Sequence, residues 1–223
     1  MSKVIDLTHR IENGIPVYPG DAGVRLSADS VHGIDQNGCP AAHVGRVNMG
    51  LHNGTHMDAA YHFLPLGFSI EKTPLDRCVG HAVLLDLPGF APKEEIKPGH
   101  LAPFEALLAG HKRVVLSTGW SRRWREPDYF TGHPFVGLDA ARWLLDRQVD
   151  MLGLDFPSID HPPFETHLLW LGAGASILEN LTNLDQVVTS VFTLIALPLP
   201  FAGMDGSPVR AVALVDNGAV DPG

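Results

Sequence analysis

Between Leu51 and Phe63 the chain reads L-H-N-G-T-H-M-D-A-A-Y-H-F. His52, His56, Asp58 and His62 thus fall within eleven residues of a chain that has twelve histidines in all. Imidazole and carboxylate donors at this density form the ligand set of a zinc or manganese ion. In a straight strand, at about 3.3 Å per residue, His52 and Asp58 would stand about 20 Å apart. Donors to one ion must lie within roughly 2.0–2.2 Å of it, so a chelating segment has to fold back on itself. Gly54 can take the backbone angles of such a turn, and a loop running into a helical turn is the expected result. The metalloprotease form of a His-x-x-x-His pair needs Glu directly after the first His as general base. Asn53 stands there and removes that possibility.

A single loop of ligands rarely closes a reactive metal centre, and a second histidine and carboxylate are available downstream. His167 opens the short helical run H-L-L-W-L-G-A-G, and Glu179 stands in S-I-L-E-N-L, an apolar strand. An ionised carboxylate in apolar surroundings is costly unless it is paired or bound to metal. The alternative for Glu179 is a solvated strand end beside Asn180.

The elements that must position these residues read as α/β with mixed strand directions. Val4 to Leu7 is a short β-type run. P-V-Y-P-G-D, from Pro16 to Asp21, is a rigid turn whose Tyr18 either lines a pocket or lies on the surface. From Ala42 to Leu51, Arg46 and Asn48 alternate with Val47 and Met49 as in a half-buried strand. L-P-L-G-F-S-I-E after Phe63 suits a wall or lid beside the site. His81 to Leu87, Val114 to Ser117 and Met151 to Asp155 are strands, the first of them a continuous apolar run of the buried kind. Pro103 begins a helix closed by Gly110, and Asp139 is the expected N-cap of A-A-R-W-L-L-D-R-Q. Arg122, Arg123 and Arg125 around Trp124 could hold an anionic substrate, face a neighbouring subunit, or be solvated surface. Val191 to Leu199 and Val209 to Val215, joined by the turn G-M-D-G-S-P, should cover one edge of the sheet.

Length and charge bound the rest. At 223 residues the chain suits one sizeable core, so residues 1–223 read as a single domain. With 25 acidic against 16 basic residues, a net charge of -9 and no basic run, nucleic acid is not an expected partner. The most apolar tract, Val191 to Ala202, is broken by Pro198 and Pro200 and is too short to span a membrane. The opening M-S-K-V-I-D-L-T-H-R lacks the apolar stretch of a secretory signal, which predicts a cytoplasmic location. Cys39 and Cys78 are expected as free thiols.

Taken together, H-x-G-T-H-x-D-x-x-x-H, the His167 and I-L-E-N-L pair, P-V-Y-P-G-D and D-G-S-P-V-R resemble the cyclase-like metal-dependent hydrolases, which include bacterial kynurenine formamidase and isatin hydrolase. The resemblance runs from about Val4 to Val215. It implies a swivelling β/β/α-type α/β domain with a mixed central sheet. It also implies that His52, His56 and Asp58 bind one divalent ion, Zn2+ or Mn2+, that His167 and Glu179 help hold a second, and that Asp58 and Glu179 bridge. His62 corresponds to the family's general acid/base. Tyr18 stands where formamidases commonly carry a tryptophan, and Ala60 where the motif usually has proline. Homodimers or homotetramers, with a neighbour's loops completing the pocket, are implied as well.

The expected chemistry is hydrolysis of an amide carbonyl by metal-activated water, with His62 moving the proton to the departing nitrogen. The expected substrate is a small arylformamide such as N-formylkynurenine, with Tyr18, Phe63 and Phe68 shaping the pocket. A cyclic amide or lactone of the isatin type keeps the same chemistry. A metal-binding protein without turnover is the alternative from another class, and it leaves His62 without a task.

Overall fold

A computed structural model describes residues 2–216. Nine strands form one mixed sheet: β1 (Ser2–Asp6), β2 (His56–Asp58), β3 (Val79–Asp86), β4 (Arg113–Ser117), β5 (Met151–Leu154), β6 (Ser176–Glu179), β7 (Val191–Ile195), β8 (Gly206–Pro208) and β9 (Val212–Asp216). In space they run β1-β9-β7-β3-β4-β5-β6-β2-β8. β3 to β6 are parallel, which requires crossover connections. Helix α1 (Leu138–Asp146) lies between β4 and β5, and helix α2 (Glu165–Gly172) between β5 and β6. The outer strands all pair antiparallel.

The central strands alternate between two buried faces, which is why they read as continuous apolar runs. On one face Val83, Leu85, Val114, Leu116, Leu152 and Leu154 pack with Leu144 of α1 and Trp170 of α2. On the other, Ala82, Val115, Met151 and Leu178 meet Met57 of β2, Leu194 of β7 and Ala213 of β9. The sheet curls so that its outer strands cover its own middle. Cys39 is exposed and Cys78 buried, and both are free. Among the described residues no helix is long and apolar enough to cross a membrane.

Several local expectations change. Val44–Asn48 is a strand, but it pairs with Arg25–Ser30 in a separate two-stranded ribbon and is exposed throughout. The alternation of Arg46 with Val47 therefore marks no buried face. β7 and β9 do pair, yet β1 docks outside β9 and takes that edge. Part of the expected G-M-D-G-S-P turn becomes β8 at the opposite edge. Gly137 occupies the N-cap of α1, and Asp139 sits in its first turn, where a carboxylate suits the helix dipole. The Pro103 helix is broken into Pro98–Leu101, Ala102–Phe104 and Glu105–Leu108, with Pro103 at the break.

Candidate metal centre and pocket

Gly54 turns the histidine loop at φ +71°, and an added Cβ would stand 2.6 Å from Ile11 Cδ1. Only glycine combines that angle with that proximity. β2 follows, with His56 opposite Glu179 on one side and Asp58 opposite Gly206 on the other. The chain then enters the Ala60–His62 turn. The loop thus does run into a helical turn, with a three-residue strand inserted between. Asn180, at φ +57°, ties the two halves together. Its Nδ2 donates to Gly54 O at 3.0 Å, its carbonyl accepts from Thr55 Oγ1 at 2.6 Å, and its Oδ1 accepts from Tyr129 Oη at 2.9 Å.

Five side chains converge here. His52 Nδ1 lies 2.8 Å and His56 Nε2 3.3 Å from Asp58 Oδ1. Glu179 Oε2 is 3.4 Å from His56 Nε2. His167 Nε2 is 3.9 Å from Asp58 Oδ2 and 3.8 Å from Glu179 Oε1. Among the described residues three groups could each hold an ion: His52–His56–Asp58 and Asp58–His167–Glu179, which share Asp58, and His52–His62–Asp205 at the side. Donors bonded to one ion stand roughly 3–4 Å apart, so these spacings suit shared coordination.

The donor set fits divalent ions on two further grounds. Asp58 Oδ2 is buried without a hydrogen-bond partner, an arrangement that costs free energy unless a cation meets it. Each histidine also has its other ring nitrogen engaged. His56 Nδ1 donates to Gly54 O at 2.9 Å, His167 Nδ1 to Asp160 Oδ1 at 2.5 Å, and His52 Nε2 to Asp205 Oδ2 at 2.9 Å. Such partners fix the tautomer so that the remaining lone pair faces the common centre. Asp160 does double duty, since its Oδ2 accepts the Thr166 and His167 backbone N–H groups at the start of α2.

Without an ion, protons balance the charge. Burial works against charging His52 and His56, but their carboxylate neighbours, Asp58 above all, outweigh it and lift them to about 10 and about 9. Burial alone would raise the Asp58 carboxyl, yet the facing His52 and His62 hold it well below the usual range.

Four of the five, His52, His56, His167 and Glu179, line a cavity of about 360 Å³, with Asp58 buried behind them, Tyr18, Phe63, Phe130 and Phe164 also lining it, and His62 at its side. Tyr18 therefore lines the pocket, edge-on to Phe130 at 6.1 Å, and Phe63 stacks on His167 at 4.4 Å. Phe68 does not join them. Its carbonyl accepts the Tyr61 N–H, and it borders a separate apolar groove with Leu64 and Leu171. Arg122, Arg123 and Arg125 pair with Asp185, Asp128 and Glu12 and do not line the cavity. Trp124 stacks on His9. Asp205, Asp160 and Asn180 were not singled out by sequence. Asp205 carried a signal in D-G-S-P, while the other two carried none beyond adjacency to a candidate ligand or a loop.

The Cyclase family model matches residues 5–161, and the chain belongs to that family. It is 33% identical over 215 residues to the kynurenine formamidase of Bacillus mycoides, covering 95% of this chain and 97% of that protein. Isatin hydrolase A from Labrenzia aggregata, solved with benzyl benzoate, superposes with a TM-score of 0.82 at 30% identity, covering 96% of this chain and 94% of that one. A predicted metal-dependent hydrolase from Bacillus stearothermophilus superposes with a TM-score of 0.78 at 27% identity, covering 96% and 98%.

Proposed function

We propose that the chain is a metal-dependent hydrolase that cleaves an arylformamide such as N-formylkynurenine. The observation that carries this is the meeting of two His/carboxylate groups at the buried Asp58, with their other members lining an aromatic-walled cavity. Similarity to kynurenine formamidases along nearly the whole chain supports the substrate class. Zinc or manganese held by His52, His56, Asp58, His167 and Glu179, at two ions per chain, would supply an activated water and polarise the scissile carbonyl.

The chain's own groups do the rest. Tyr18, Phe63, Phe130 and Phe164 hold the aromatic part of the substrate and exclude solvent. His62 Nδ1 is engaged by Asp205 Oδ2 at 3.1 Å, which leaves Nε2 to take a proton during attack and return it to the departing nitrogen. Formate and an aromatic amine are the products. The similarity to isatin hydrolase A favours a second substrate type, a cyclic amide opened to an acid by the same steps.

Association into a homodimer or homotetramer belongs to the same proposal. It is supported by the exposed ribbon, which leaves Val44 and Val47 uncovered, because a lone two-stranded ribbon is marginal in water. A cytoplasmic setting suits the free Cys39 and Cys78.

The test is to strip the protein with chelator, reload it with zinc or manganese, and assay N-formylkynurenine, isatin and simple aryl formamides. Metal-dependent release of amine or ring-opened acid is expected. Tight metal binding with no turnover on this panel would instead indicate a non-catalytic metal-binding protein.

A further inference from the structure

Asp205 immediately precedes β8, and its backbone carbonyl accepts the Ala59 N–H at 2.9 Å. The β8–β2 register then sets Gly206 opposite Asp58 and Pro208 opposite His56, which delivers the Asp205 carboxylate to one place beside the histidine loop. A single oxygen, Oδ2, takes both contacts, His52 Nε2 at 2.9 Å and His62 Nδ1 at 3.1 Å. The two rings lie stacked, with centroids 3.9 Å apart and planes 26° from parallel. A Cβ at Gly206 would stand 2.7 Å from His52 Cε1 and 3.0 Å from Met57 O, so glycine lets the ring lie against the strand.

A carboxylate oxygen accepts hydrogen bonds and donates none. His52 and His62 must therefore present N–H to it from Nε2 and Nδ1 respectively. That leaves His52 Nδ1 for the centre it shares with Asp58, and His62 Nε2 for the substrate. We infer that Asp205 is a positioning residue that fixes the tautomer and ring orientation of the candidate ligand and of the candidate acid/base together. The inference rests on the role of His62 proposed above. It places the control of ion binding and of proton transfer in one carboxylate, acting through two imidazoles.

Asp205→Asn and Asp205→Glu, beside His62→Ala, test this in the full chain. Asparagine keeps the size but presents one acceptor and an NH2 group, whereas glutamate keeps the charge. The Asp205 side chain is 36% exposed, so the exchange spares the core, and Asp205→Ala, which removes the acceptor altogether, carries the same comparison should the asparagine variant not fold. In metal-free protein at alkaline pH, ring 15N NMR is expected to show the His62 proton on Nδ1, and that preference should be lost in Asp205→Asn. At saturating zinc or manganese, kcat on an aryl formamide should fall about 10- to 100-fold with little change in KM, and metal affinity should weaken by a similar factor. Asp205→Glu should recover part of both. Combined with His62→Ala, the loss in kcat should be no larger than from His62→Ala alone. An unchanged tautomer, wild-type kcat in Asp205→Asn, or additive losses in the double variant would overturn the assignment. If His62→Ala keeps both metal and full rate, the acid/base role itself fails, and the metal-free NMR result still decides whether Asp205 positions the ring.

Discussion

Glu179 stands directly across from His56 in the β6–β2 pairing, with its Oε2 3.4 Å from His56 Nε2. Two residues far apart in sequence are made neighbours by strand register, and a slip of one residue would turn one of them to the opposite face. The two halves of the site are therefore set by backbone hydrogen bonds in a buried sheet.

Glu179→Gln tests the contribution of this carboxylate's charge. The amide oxygen can still accept the Ile159 N–H that Glu179 Oε1 accepts at 3.0 Å, so the fold should survive. Metal content should drop from two ions to one, and kcat should fall about 10- to 100-fold. Elemental analysis after gel filtration gives the stoichiometry, and two tightly held ions in the variant would rule Glu179 out as a ligand.

Tyr18→Ala removes one aromatic wall without touching the cluster. Loss of a buried ring contact of about 1–1.5 kcal/mol should raise KM for an aryl formamide about tenfold and leave kcat closer to wild type. Steady-state kinetics checks the split. A fall confined to kcat would mean that Tyr18 does not hold the ring.

Gly67→Ala should damage the site from outside it. A Cβ there would stand 2.4 Å from Ala60 C and 2.7 Å from Tyr61 N, backbone atoms that cannot rotate away. Relief requires the Leu64–Phe68 loop to lift from the turn that carries His62. A stability loss of about 1–3 kcal/mol and a lower kcat are expected, measured by denaturant unfolding and by assay. Gly99→Ala, where nothing lies within 4 Å, is the control.

In the metal-free protein, two sets of histidines act on stability in different pH windows. His52 and His56, lifted to about 10 and about 9, bind their protons more tightly folded than unfolded. Their contribution is complete below the ordinary value of 6.5 and is lost as pH rises toward 9 and 10. Burial holds His9 down at about 4 and His133 at about 3. Their contribution is present above 6.5 and is lost as pH falls. Asp155, pushed up to about 6 by burial, runs against that second pair between 3.8 and 6, as one group against two. The thermal midpoint should therefore peak near pH 6.5, and His133→Asn should flatten the acid limb. A midpoint that climbs steadily from acid to pH 9 would contradict this.

The chemistry was legible where residue identity and spacing carry it. His52, His56, Asp58 and His62 announce themselves by density, and Gly54 by the turn that chelation requires. Glu179 stood out because a carboxylate in an apolar strand needs a partner. Asp205 stood in a motif of the resemblance but was not singled out as a site residue, since D-G-S-P reads locally as turn and Gly206–Pro208 becomes strand only through its pairing with β2. Phe68 was misplaced because chain proximity to Phe63 does not give the direction in which the Leu64–Phe68 loop folds. The position of β1 outside β9 depends on long-range pairing that no local pattern encodes.

The most direct measurement is anomalous diffraction at the zinc edge from crystals of zinc-loaded protein. Two peaks are expected on either side of Asp58, one among His52, His56 and Asp58, the other among Asp58, His167 and Glu179. Saturating zinc with no peak at these residues, or with peaks only elsewhere on the chain, would contradict a metal centre built from the two halves.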